Sequence, residues 1–207
     1  MGPAGTFALE TFGTGLLLLL GWLYANIDNP RCSAILKKSL LLFALPILFW
    51  PSFLFHFPLG MLVSIGGEEG LKAFASTREQ NRQDKFWLVA LFGVWELALD
   101  KPFWSLVLHQ SGESWTRLSM IGLVYITTLP VLMHAVTAAI YAFAFERRLW
   151  AAFITSWVIH AVFNETAHYF ALSPAVAITQ TAILIAMLGA LVSGRLKAPA
   201  PRDDVRP

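Results

Sequence analysis

The stretch SIGGEEGLKAFAS, Ser64 to Ser76, sets Glu68, Glu69 and Lys72 in the middle of a segment otherwise made of apolar and small residues. What those three ionisable groups mean depends on the chain around them. It has 207 residues, 57% of them hydrophobic and only 14% charged, with mean hydropathy +0.61. Soluble domains carry about a quarter of their residues as charges. The deficit assigns the chain to the membrane class before any motif is considered. A net charge of +2 gives no footprint for nucleic acid, so none is expected as a partner. The single cysteine, Cys32, excludes an intrachain disulfide and any CxxC site.

A helix needs about 20 apolar residues to cross the hydrocarbon core. Seven segments meet that need: Phe7–Ala25, Ser39–Phe57, Leu59–Ser76, Phe86–Leu108, Leu118–Phe145, Trp150–Phe170 and Pro174–Ser193. The expected fold is therefore all-α, a polytopic membrane protein of about seven transmembrane helices. It forms a single transmembrane domain over residues 1–197, with a Pro-rich, charged tail, 198–207, expected to be disordered. No basic residue precedes the leucine run Leu16–Leu20, so the first segment reads as an uncleaved span. Pro46 and Pro51 are expected to kink the second span.

Positive charge tests the count. Twelve of the fifteen lysines and arginines lie in alternate connections: Arg31, Lys37 and Lys38; Arg78, Arg82 and Lys85; Arg147 and Arg148; and the four that follow the last span. The opposite connections hold only Arg117, and Lys72 and Lys101 fall inside spans. Positive loops stay cytoplasmic, which puts the N-terminus outside and the C-terminus in the cytoplasm. Trp22, Trp50, Trp87, Trp104, Trp115 and Trp150 cluster toward span ends, as interfacial anchors do. The lipid bilayer is the first expected partner, and a bacterial inner membrane the expected location. The sequence carries no signal for oligomeric state.

Charge at the bilayer centre is costly, so ionisable residues there face the protein interior and pair. Counted at about 1.5 Å per residue, Glu68 and Glu69 come near the middle of the third span and Glu96 near the middle of the fourth. His134 lies just past the middle of the fifth, and His160 at the middle of the sixth. Four consecutive spans bring a carboxylate or imidazole to one depth. Glu68 and Lys72 share a helix face; Glu69 is turned about 100° away. His160, Asn164 and His168 stack on successive turns. Gly66 and Gly67 allow a close helix approach or a locally opened turn beside the glutamates. Each residue also has a plain structural reading: a satisfied membrane histidine, a neutralising Glu68–Lys72 pair, an Asp100–Lys101 pair. Glu10 is expected to snorkel, and His56 and His109 to lie at interfaces. What those readings leave unexplained is the common depth.

A carboxylate, two imidazoles and an amide suit water activation, because a glutamate withdrawn from water is a competent general base, and asparagine can orient a histidine or donate to an oxyanion. HExxH, GxSxG and a paired-aspartate plan are all missing. The motifs EEGLK (Glu68–Lys72), FGVWE (Phe92–Glu96), HAVTA (His134–Ala138) and HAVFN (His160–Asn164) resemble those of the PrsW-type intramembrane proteases, within the group that includes the CAAX prenyl proteases and the ABI or CPBP proteins. The resemblance spans about residues 60–170. Lysine four residues after the first glutamate, and glutamate closing the Phe motif, match the PrsW branch.

The resemblance implies an intramembrane endopeptidase acting on a membrane-protein or lipidated-peptide substrate. Glu68 would activate water with Glu69 in support, His134 and His160 would flank the water and carbonyl, and Asn164 would steady His160 or the oxyanion. Glu96 stands in place of the CAAX-branch histidine: either it would complete a metal or proton-relay set, or His134 would take the displaced histidine's task. No cofactor is needed if the glutamate alone activates water; two histidines with the carboxylates also admit Zn²⁺. Two other classes use the same cluster: a proton- or cation-coupled transporter, and a catalytically silent membrane binding protein of the same fold.

Overall fold

The computed structural model describes residues 3–45, 59–103, 120–145, 148–170 and 173–196. These residues form seven helices and contain no strand. They are α1 (Pro3–Ala25), α2 (Cys32–Ala44), α3 (Leu59–Arg78), α4 (Arg82–Trp95), α5 (Met120–Ala139), α6 (Leu149–Phe170) and α7 (Pro174–Leu196). A π-helical turn continues α4 at Glu96–Asp100, and another continues α5 at Ile140–Ala144. Helix α2 begins earlier than the expected second span. The rest of that span, with Pro46, Pro51 and His56, lies outside the described residues, as do His109 and the 198–207 tail.

The bundle is organised around α4 and α5, which pack on each other; α2 and α1 lie against α4, α7 against α5, and α3 against α6. The run Leu88–Trp95 shows why α4 is central. All eight of its residues are buried, without a polar face, and a helix apolar all round must be enclosed by others. The start of α4 is set by Asn81, whose extended backbone lets its side chain accept from the amides of Gln83 (2.8 Å) and Asp84 (3.3 Å).

Two helical stretches, Ala8–Ala25 and Ala175–Ser193, are long and apolar enough to cross a membrane; Thr128–Ala144 is apolar but shorter. The outward faces agree with a lipid surrounding. Leu17 is 71% exposed, Val162 60% and Ile178 67%. On α6, Ile154, Val158 and Val162 repeat every four residues as one exposed apolar stripe.

At one end of the bundle the α1–α2 and α3–α4 connections meet. Arg31 pairs with the nearly buried Asp84 at 2.8 Å, a contact that raises the arginine pKa through hydrogen bond and charge. Lys38 pairs with Glu79. Trp22 and Trp87 are not both interfacial anchors as expected. Trp22 is buried and meets the Trp87 ring edge-on at 6.1 Å, inside the cluster with Ile35, Leu91 and Trp95. Trp150 is exposed, as an anchor would be; Trp50, Trp104 and Trp115 lie outside the described residues.

Two glycines permit the close approaches that define the core. A Cβ at Gly15 would lie 2.7 Å from the backbone nitrogen of Ala98, so α1 sits directly on the π-turn of α4. A Cβ at Gly93 would lie 2.8 Å from the His134 ring and 2.9 Å from its Cβ. That second contact brings His134 against α4.

Candidate active site

Lys72 is the centre of the buried polar cluster. It is fully buried, and its ammonium has three protons and no acceptor. Nζ lies 2.6 Å from Glu68 Oε1, 2.8 Å from Glu69 Oε1 and 2.8 Å from His134 Nδ1. The neutralising pair expected between Glu68 and Lys72 is present, as one arm of three. The Phe92 ring, its centroid 4.6 Å from Nζ, covers another side of the lysine.

The acceptor-only and donor-only groups settle both histidine tautomers. His134 Nδ1 faces the lysine and so carries the lone pair. Its Nε2–H then donates to Glu96 Oε2 at 2.8 Å. Both nitrogens of His134 are used within the protein. His160 has the opposite tautomer: Nδ1–H donates to Glu69 Oε1 at 2.9 Å, and Nε2 has no hydrogen-bond partner among the described residues. The two rings meet edge-on with centroids 5.4 Å apart.

The two adjacent glutamates have different surroundings, as their 100° separation on the helix requires. Glu69 is completely buried. Its Oε1 accepts from Lys72 and His160, and its Oε2 from Tyr141 Oη at 3.1 Å. Glu68 has an 18% exposed side chain, and among the described residues its carboxylate is held at Oε1, by Lys72. Its Oε1 is 3.6 Å from His160 Nδ1. Among the described residues Glu68 thus keeps an oxygen open beside the histidine that keeps a nitrogen open.

The π-turn on α4 explains how Glu96 reaches the cluster. In an α-helix, residues five apart diverge by about 140°. The π-turn closes an i→i+5 bond, Lys101 N–H to Glu96 carbonyl, and sets the two side chains on one face. Lys101 Nζ lies 2.7 Å from Glu96 Oε1. Lys101, read from the sequence as the partner of Asp100, thus also pairs with Glu96. The result is one connected chain: Lys101, Glu96, His134, Lys72, then Glu68 on one branch and Glu69 with His160 and Tyr141 on the other. Tyr141 sits on the second π-turn; it was missed in the sequence because a tyrosine in a membrane span carries no charge to mark it.

Helix α3 is continuous through Gly66 and Gly67, so no turn opens there; the glycines serve close approach. Trp157 Nε1 of α6 comes within 3.6 Å of where a Gly66 Cβ would stand and donates to the Leu62 carbonyl at 3.2 Å. Asn164 is half-buried one turn beyond His160 on α6 and makes no hydrogen bond to the cluster among the described residues. The His168 side chain lies outside the described residues. Glu10 is exposed on α1, apart from the site.

Glu68, His134 and His160 can each offer a ligand atom within 4.8 Å of the others, the donor set of a three-residue metal site. The fit fails on Lys72. Its ammonium holds the His134 Nδ1 lone pair and Glu68 Oε1, and His160 Nδ1 carries the proton given to Glu69. Comparison with family models, with curated proteins and with solved structures finds no match to the chain.

Proposed function

We propose that the chain is an intramembrane endopeptidase in which Glu68 activates the attacking water. The observation that carries this reading is the asymmetry of the two glutamates. Glu69 is saturated by Lys72, His160 and Tyr141, whereas Glu68 retains an open, partly accessible oxygen beside His160. In the proposed step Glu68 takes a proton from water as the oxygen adds to the scissile carbonyl, and returns it to the departing amine. Lys72 holds Glu68 charged and aimed. His160 offers Nε2 to the water or the substrate, and Asn164, on the same face one turn on, stands where it can donate to the carbonyl oxygen. His134 acts through Lys72, since neither of its nitrogens is open. The resemblance of the four motifs to those of PrsW-type proteases supports the same assignment, with a membrane-protein or lipidated-peptide substrate.

The membrane setting is part of the proposal: seven spans, the N-terminus outside, the C-terminus cytoplasmic, in a bacterial inner membrane. Its support is the alternation of basic connections, the apolar outward stripes, and the Arg31–Asp84 and Lys38–Glu79 pairs, which join the first and third connections at one end of the bundle.

The test is proteolysis of a membrane-peptide library by purified protein and by Glu68→Gln. Loss of a positioned general base lowers the rate about 10²–10⁴-fold; full activity in Glu68→Gln would end the reading. One observation favours a second reading, proton-coupled transport: the unbroken chain from Lys101 to His160. Proton flux in proteoliposomes, abolished by Glu96→Gln with no peptidase activity in the wild type, would establish it instead.

A further inference from the structure

We infer that the Lys72 ammonium occupies the cation position of a latent divalent-metal site, so that the protein carries its own cation where a metal would otherwise bind. Four observations meet at this point. Glu68, His134 and His160 present ligand atoms within 4.8 Å of one another. Lys72 Nζ stands 2.6 and 2.8 Å from atoms of two of those residues, Glu68 Oε1 and His134 Nδ1, and 2.8 Å from Glu69 Oε1. A zinc ion would sit about 2.0–2.2 Å from the same atoms, and so nearly at the ammonium position. The third is the state of His134. Its Nε2–H already donates to Glu96 at 2.8 Å, the carboxylate–histidine arrangement that orients a metal-binding imidazole. The fourth is Glu69, fully buried, which supplies a fourth donor oxygen once the lysine is gone.

An imidazole nitrogen has one in-plane lone pair, so Lys72 and a metal cannot share His134 Nδ1. Nor can a metal stand about 2.0–2.2 Å from the atoms that already hold the ammonium at 2.6 and 2.8 Å, because the two cations would overlap. The lysine is tethered to the same helix as the glutamates, three and four residues on, and is therefore present at fixed and high local concentration. Metal must displace it to bind, and binding at His160 Nδ1 also moves that ring's proton to Nε2. The inference concerns binding alone and stands or falls apart from the peptidase reading.

The experiment uses the full chain in detergent micelles, titrated with Zn²⁺ by calorimetry and with Co²⁺ by visible absorption. The wild type is expected to take up no stoichiometric metal. Lys72→Met, which keeps the unbranched stem but ends one atom short of the ammonium position, is expected to bind one Zn²⁺ and to give the intense Co²⁺ bands of a tetrahedral site. Lys72→Arg, which keeps a cation, is expected to bind none. Adding His160→Ala to Lys72→Met should abolish uptake, and adding Glu96→Ala should weaken it about 10- to 100-fold. A folded Lys72→Met that binds no metal overturns the inference. So does wild-type protein that binds one Zn²⁺ and loses it in His160→Ala. If Lys72→Met does not fold, Lys72→Gln takes its place, and a folded Lys72→Gln that binds no metal likewise overturns the inference.

Discussion

Glu69→Gln is expected to unfold the protein far more readily than Glu68→Gln, although the two glutamates are neighbours and both touch Lys72. Glu69 accepts three hydrogen bonds, from Lys72 (2.8 Å), His160 (2.9 Å) and Tyr141 (3.1 Å), with no exposure. The best the glutamine can do is turn its NH₂ toward Tyr141, whose oxygen can also accept, and keep its carbonyl on Lys72 and His160. The shape survives but the charge is lost. Removing one partner of a buried ion pair costs about 3–5 kcal/mol. Lys72 keeps Glu68 at 2.6 Å, so the lower end, about 3 kcal/mol, applies. Glu68→Gln removes one charge-assisted bond from a side chain that is 18% exposed, for about 1.5 kcal/mol. The difference of about 1.5 kcal/mol is roughly a tenfold change in the folded-to-unfolded ratio. Equilibrium unfolding in mixed detergent–dodecyl sulfate micelles, followed by circular dichroism, measures both variants under one condition. Equal stabilities, or a Glu68→Gln variant that is the weaker of the two, would refute the assignment of Glu69 as the buried acceptor and Glu68 as the open one.

Tyr141→Phe should cost about 1 kcal/mol in the same unfolding assay, the value of one buried hydrogen bond. Gly93→Ala should cost about 1–3 kcal/mol by overpacking, since the new methyl would meet His134 at 2.8 Å and that ring is held at both nitrogens; a stability equal to wild type would refute the close α4–α5 approach. Asp84→Asn should lower stability, and by less in an Arg31→Gln background, which a double-mutant cycle reads directly. With Cys32 replaced by serine, single cysteines at the exposed positions Ser33 and Gln80 should both react with an impermeant thiol reagent from the cytoplasmic face only; labelling from opposite faces would refute the proposed topology.

The composition, the spacing of apolar segments and the motif residues are all legible in the sequence. Apolar runs near membrane length predict helices, and helices of described length are what α1, α3, α5, α6 and α7 are. The meeting of Glu68, Glu69, Glu96, His134 and His160 was also legible, because charges inside apolar helices must find each other and equal depth brings them level. What the linear pattern could not give is which atom meets which. Lys101 belongs to Glu96 because a π-turn rotates the helix between them, and hydrophobic periodicity carries no trace of one extra residue in a turn. Trp22 belongs to the core because α1 lies against α4, whereas its place near a span end suggested an interface. Lys72 as the hub, Glu69 saturated, Glu68 open and His134 closed at both nitrogens depend on the directions of side chains from four helices. Those directions are set by how closely the helices pack, at Gly93 and at Gly66 above all. Spacing along one helix states which side chains share a face; only the packing of several helices decides which lone pair faces which proton.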